Sequence, residues 1–198
     1  MKNPVTEAII SRRSVRKYKP QQIEESLLTA VIEAGRHAPS GGNAQLTHII
    51  VIQNADVLKD IIKISKQEFA KKTADENTYA SLRSTIERAK DKDFDFNFLY
   101  SAPTLIVLAN NKERPNAMAD SVCVLQNMLI AAESLGLGAC YQNALHWLDD
   151  SEPFREYMYT LGLKPNETIT CALTVGYSDE AEPRPPLVRE GNPVSYVR

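Results

Sequence analysis

Clustered metal ligands, a surplus of basic charge and long apolar runs are all missing from this chain, and each absence removes a class of protein. Its three cysteines, Cys123, Cys140 and Cys171, are odd in number and far apart, with no CxxC among them. The three histidines, His37, His48 and His146, are equally scattered. A zinc site needs closely spaced Cys or His ligands and a disulfide framework needs paired cysteines, so the pattern argues against both. Each cysteine sits in an apolar run such as VCVL or TCALTV and is read as a small buried hydrophobe. Lys and Arg number 23 against 25 Asp and Glu, a formal charge of -2 with a pI near 6.0. A general nucleic-acid binder requires the opposite balance. No apolar stretch approaches the roughly 18 residues of a membrane span, and MKNPVTEAII lacks the apolar core of an export signal. A soluble, cytoplasmic protein is expected.

What is present suits one compact domain over 1–198: 43% hydrophobic residues, 24% charged, and length enough for a substantial core. Thr6 reads as the N-cap of a first helix ending near Arg13. Leu27/Leu28, Val31/Ile32 and Gly35 recur at helical spacing from Glu24. APSGGNAQ is a loop, THIIVIQ and TLIVLAN are buried strands, and a helix is expected from Asp56 to about Lys72. Residues 66–97, rich in Lys, Asp, Glu and Asn, read as a polar helical excursion, a mobile flap or a helix over a site. ADSVCVLQNMLIAAESLGLG is apolar on nearly every side, which predicts a helix enclosed all round, most easily if a second subunit covers one face. SEPFREYMYTLG gives a helix capped by Ser151, and TITCALTVGY the last strand. From residue 179 onward, Pro183, Pro185, Pro186 and Pro193 predict an extended arm.

Three polar clusters remain outside the core. SRRSVRKY packs Arg12, Arg13, Arg16 and Lys17 around Ser14 in a chain of negative net charge, a density that an anion would relieve. If Ser14 to Arg16 is extended, Arg12, Ser14 and Arg16 share one side, with a hydroxyl set between two guanidinium groups. PSGGNAQ at 39–45 and EPRPP around Arg184 are the other two.

The order SRRSVRKY, APSGGNAQ, SLGLGACYQNA, GYSDEAEPRPPL resembles the nitroreductase-like FMN flavoproteins, and the resemblance spans nearly the whole chain except 66–97. It implies an α+β fold, a three-layer α/β/α sandwich with a central mixed sheet, in an entwined homodimer that holds FMN where the subunits meet. Carried over position by position, Arg12, Arg13 and Ser14 match residues that hold the FMN phosphate and ribityl chain. Arg16 matches a cation at the flavin edge where negative charge collects on reduction. Pro39, Ser40, Gly41, Asn43 and Gln45 match the loop lent by the neighbouring subunit. Gln142 and Asn143 match backbone passing flavin N5, and Arg184 matches a late arginine on the phosphate. Two departures bear on the substrate: Leu46 and Thr47 follow Gln45 where many members have Pro-Trp, and Asn143-Ala144 stands where some members have an acidic residue and Gly.

The function implied is an oxidoreductase that takes hydride from NAD(P)H and passes it to a small electrophile such as a nitroaromatic, quinone or enone. The absence of GxGxxG agrees with a nicotinamide that shares the flavin cavity as co-substrate. No acid or base of the protein, and no metal, is assigned; Tyr141 and His146 are noted as cavity residues. The alternatives are a flavin-binding, storage or regulatory module without NAD(P)H turnover, and a relative with changed chemistry that fragments flavin or dehalogenates aromatics.

Overall fold

A computed structural model describes residues 3–180 and 187–198. Its framework is a four-stranded sheet of β1 (His48–Ile52), β2 (Thr104–Asn111), β3 (Gly138–Gln142) and β4 (Glu167–Gly176), in the order β1-β2-β4-β3. All three strand pairings are antiparallel. The parallel component of the mixed sheet, among the described residues, is a single bridge from Ser14 to Ala139.

β2 and β4 are buried on both faces, which is why their sequences are nearly unbroken runs of apolar residues. On one face Leu105, Val107, Ala109 and Ile169 join Phe69, Ile86, Leu148, Phe154 and Met158. These come from α3 (Ala55–Lys71), α4 (Ala80–Lys90), α6 (Glu152–Thr160) and the short 3-10 turn His146–Leu148. On the other face Ile106, Leu108, Cys171 and Leu173 meet Val31, Val124, Leu125 and Met128 from α2 (Glu25–Arg36) and α5 (Ala117–Ser134). Ile169 and Cys171 are two residues apart yet face opposite layers. The register slips between Leu108 and Ala109, so the extra residue Thr170 reverses the alternation there. Its hydroxyl donates to the Leu108 carbonyl at 2.8 Å, which satisfies the kink. The result is the expected α/β/α layering.

Several local expectations need correction. The cap of α1 (Pro4–Ser11) is Asn3; its side chain accepts from the Thr6 amide, and Thr6 is the third helical residue, answering in a capping box. Cys123 is exposed, whereas Cys140 and Cys171 are buried; burial pushes the Cys171 thiol up to about 11, so it stays protonated. An apolar helix does not reveal which of its sides is covered, and α5 leaves Met118 40% and Val122 41% exposed within one chain. The stretch 66–97 packs onto the core through Phe69, Ile86, Ala89 and Phe96, all buried, and is no flap. Glu68 of α3, bonded at 2.9 Å by the Ser151 hydroxyl, ties this excursion to the start of α6.

Candidate functional site

The basic segment is held against the sheet edge by backbone. The Val15 amide donates to the Ala139 carbonyl at 3.0 Å, Lys19 N to Tyr177 O at 2.9 Å, and Asp179 N to Lys17 O at 2.9 Å. Val15 and Tyr18 are buried, and the Tyr18 hydroxyl donates back to the Val15 carbonyl at 2.8 Å. Burial pushes that hydroxyl's pKa up, which keeps it a donor. Approach this close requires a glycine on β3: a Cβ on Gly138 would lie 2.9 Å from Val15 side-chain atoms.

The side chains of this segment differ. Arg13 folds back, donating to the Ile10 carbonyl at 2.8 Å and the Arg12 carbonyl at 2.7 Å, and so closes the C-terminal end of α1. The Arg12 side chain, half-buried, makes no hydrogen bond or ion pair among the described residues. Arg16 stacks its guanidinium 5.9 Å from the ring centroid of Tyr100. Tyr100 and Ser101 both hold left-handed backbone, with φ of 57° each.

Along β3 from the Ser14 bridge, Gln142 lies three residues past Ala139, about 10 Å along the strand. It is only 5% exposed, and its Nε2 has no partner among the described residues. A buried amide donor without an acceptor is unstable unless something else accepts. Asn143 follows, its Oδ1 accepting from the Tyr141 hydroxyl at 2.8 Å. His146 Nδ1 donates to the Ile169 carbonyl at 2.7 Å, which ties the 3-10 turn to β4.

The loop with Pro39, Ser40, Gly41, Asn43 and Gln45 is a separate cluster. Left-handed backbone recurs at Gly42 (φ 63°), Asn43 (54°) and Gln45 (51°) around the turn Gly41–Asn43. Gln45 N donates to Ser40 Oγ at 3.0 Å. The Gly41 amide donates to Asp120 Oδ1 at 2.9 Å; Arg114 donates through Nε to Asp120 Oδ2 at 2.9 Å and through its terminal nitrogen to the Gly41 carbonyl at 2.6 Å. The Gly41 amide, ahead of the Arg114 guanidinium, holds the Asp120 carboxyl below the usual carboxylate range, against the opposing effect of burial. Neither Arg114 nor Asp120 stands out in the sequence, where the segment holding Asp120 reads as an apolar helix. A buried carboxylate demands a partner, and that was the available signal.

One chain does not unite these clusters. The loop is anchored at Asp120 in the first turn of α5, and Ser14 is paired at Ala139, beyond the helix's far end. α5 has 18 residues, about 27 Å of helix. Arg184 lies outside the described residues. No helix of the described residues is long and apolar enough to cross a membrane, and no group of His, Cys, Asp and Glu among them could hold a metal.

An α+β sandwich with a basic segment on its outer strand and a polar loop at the far end of its longest helix defines the class. The Nitroreductase family profile matches residues 9–177, and the chain belongs to that family. A solved nitroreductase with bound FMN from Bacteroides fragilis is similar at 31% identity, with a TM-score of 0.87 and 100% of both chains covered. The 4-nitrobenzoate reductase of Nocardioides sp. is 27% identical over 87% of this chain and 79% of its own length. The iodotyrosine deiodinase of Thermotoga neapolitana is 24% identical over 88% of this chain and 89% of its own.

Proposed function

We propose that this protein is an FMN-dependent oxidoreductase that takes hydride from NAD(P)H and passes it to a small electrophile, such as a nitroaromatic, a quinone or an enone. The observation that carries the reading is the pairing of Arg12, a cation without a partner among the described residues, with the orphaned buried amide of Gln142 on the adjoining strand. A phosphate beside the first and a heteroatom acceptor beside the second fit a flavin mononucleotide. The FMN-bound relative from Bacteroides fragilis supports the same cofactor.

When bound, FMN supplies a ring that accepts and returns hydride, so no protein acid or base is assigned. The chain's own residues bind and orient. Arg12, with Arg13 and Ser14, holds the phosphate and ribityl chain by charge-assisted bonds. Arg16 sets a fixed positive charge at the flavin edge that becomes negative on reduction. Gln142 and Asn143 line the approach to the reacting face. Pro39, Ser40, Gly41, Asn43 and Gln45 come from a second copy of the chain, because α5 separates the loop from the arginines of its own chain. The homodimer this requires is supported by the apolar side chains left exposed on α1 and α5. The unit so formed is a single FMN-binding domain per chain, and Arg184 joins the phosphate.

The test is spectroscopic. Protein reconstituted with FMN under argon should bleach on addition of NADPH or NADH and regain its colour with a nitroaromatic or quinone. Failure to take up FMN would overturn the cofactor. Uptake without bleaching would leave a flavin-binding module that does not turn over.

A further inference from the structure

We propose that the Asp120–Arg114 ion pair is a positioning device that sets the loop at 39–45 in its cofactor-binding shape before any cofactor arrives. This rests on the reading that the loop forms part of the FMN site.

The two residues grip one residue of the loop, Gly41, through the backbone groups on either side of its Cα. Asp120 accepts from the Gly41 amide, Arg114 donates to the Gly41 carbonyl, and the third bond joins Arg114 to Asp120, so the three close a ring. Both partners are sheltered, with side chains 20% and 7% exposed for Arg114 and Asp120, where a charge-assisted bond is stronger than on an open surface. The grip acts on backbone alone and leaves the loop's side chains available. Glycine leaves room for the grip: a Cβ on Gly41 would press on the side-chain amide of Asn116 and lie 3.3 Å from Arg114, so a larger residue would have to displace the side chains that surround the clamp. A second tether holds the loop's exit, where Asn110 Nδ2 donates to Thr47 Oγ1 at 3.2 Å. Between the two tethers sit three left-handed residues, two of them not glycine, and such backbone persists only where its surroundings impose it. A loop left to relax would have to be reordered by each incoming cofactor, and affinity would fall by the fraction of time spent in the competent shape.

Apoproteins of the wild type, Asp120→Asn, Arg114→Lys and Arg12→Ala are titrated with FMN by flavin fluorescence, and amide exchange over 39–47 is measured in the same samples without FMN. Asp120→Asn faces Arg114 with a donor and breaks the ring; FMN binding should weaken roughly tenfold and the loop should exchange faster, with far-UV circular dichroism unchanged. Arg114→Lys keeps the charge but cannot reach both partners, and should fall between; it decides the matter if Asp120→Asn does not fold. Arg12→Ala should weaken FMN binding with loop exchange unchanged. Unaltered FMN affinity in both clamp variants, with or without faster loop exchange, overturns the proposal and leaves the ion pair a plain stabiliser, while the Arg12→Ala result still supports the FMN site. No FMN uptake by the wild type overturns the FMN reading itself.

Discussion

Arg16 and Asp120 are both charged, and their surroundings make opposite demands on them. Arg16 stands exposed over the Tyr100 ring, and its proposed work is to stabilise added negative charge. Removing it should leave much FMN bound but shift the flavin's midpoint potential more negative in Arg16→Ala, by about 30 mV for each tenfold of lost preference for the reduced state. Spectroelectrochemistry against a reference dye reads this directly, and an unchanged potential would remove Arg16 from that edge. Asp120 is buried, and its folded-state pKa lies below the unfolded one. Its contribution to stability is therefore complete above the unfolded value and is lost as pH falls through the folded value. The urea midpoint of the wild type should exceed that of Asp120→Asn by a constant margin above about pH 5, and the margin should shrink below about pH 4. A margin independent of pH down to pH 2 would mean that the carboxylate's charge is immaterial to the clamp.

Among the elements, β3 decides most, because it carries the basic segment on its edge and Gln142 near its end. Gly138→Ala would drive a methyl group into Val15 and part the two backbones. We expect a loss of about 1–3 kcal/mol from overpacking, measured by chemical denaturation, together with weaker FMN retention. Loss of stability with full retention would show that the edge pairing does not shape the site. This strand is also where sequence reading stopped. THIIVIQ, TLIVLAN and TITCALTVGY declare themselves as strands by apolar runs rich in β-branched residues, whereas GACYQ is short, opens on glycine and lies between a helix end and a turn. The arginines were legible as a dense cluster, and the loop as a run of glycine and asparagine. The Gly41 clamp was not, because Asp120 stands 79 residues away and only the fold brings it near. Nor could the sequence show that Arg13 closes α1, since that depends on where the helix stops.

At the scale of the whole molecule, α1 exposes Val5 at 62% and Ile10 at 63%, and α5 adds Met118 and Val122. Apolar side chains left open on two neighbouring helices are an unfinished surface. A second copy related by two-fold symmetry would cover them and bring one chain's loop to the other's arginines. That geometry can be tested by complementation. Arg12→Ala damages the basic segment, and Gly41→Ala damages the loop, so each variant alone should bind FMN poorly. In a dimer containing one of each, one site inherits both lesions and the other inherits none. If subunits reassort at random, half the dimers are mixed, and about one quarter of all sites should recover full FMN affinity. Denaturing the two variants together, refolding them and titrating with FMN gives the fraction; co-refolding each variant with itself is the control. Recovery near one quarter would establish that the loop and the arginines act across the interface. A mixture that binds no more FMN than the two variants apart would place the whole site within one chain, and the separation imposed by α5 would need another explanation.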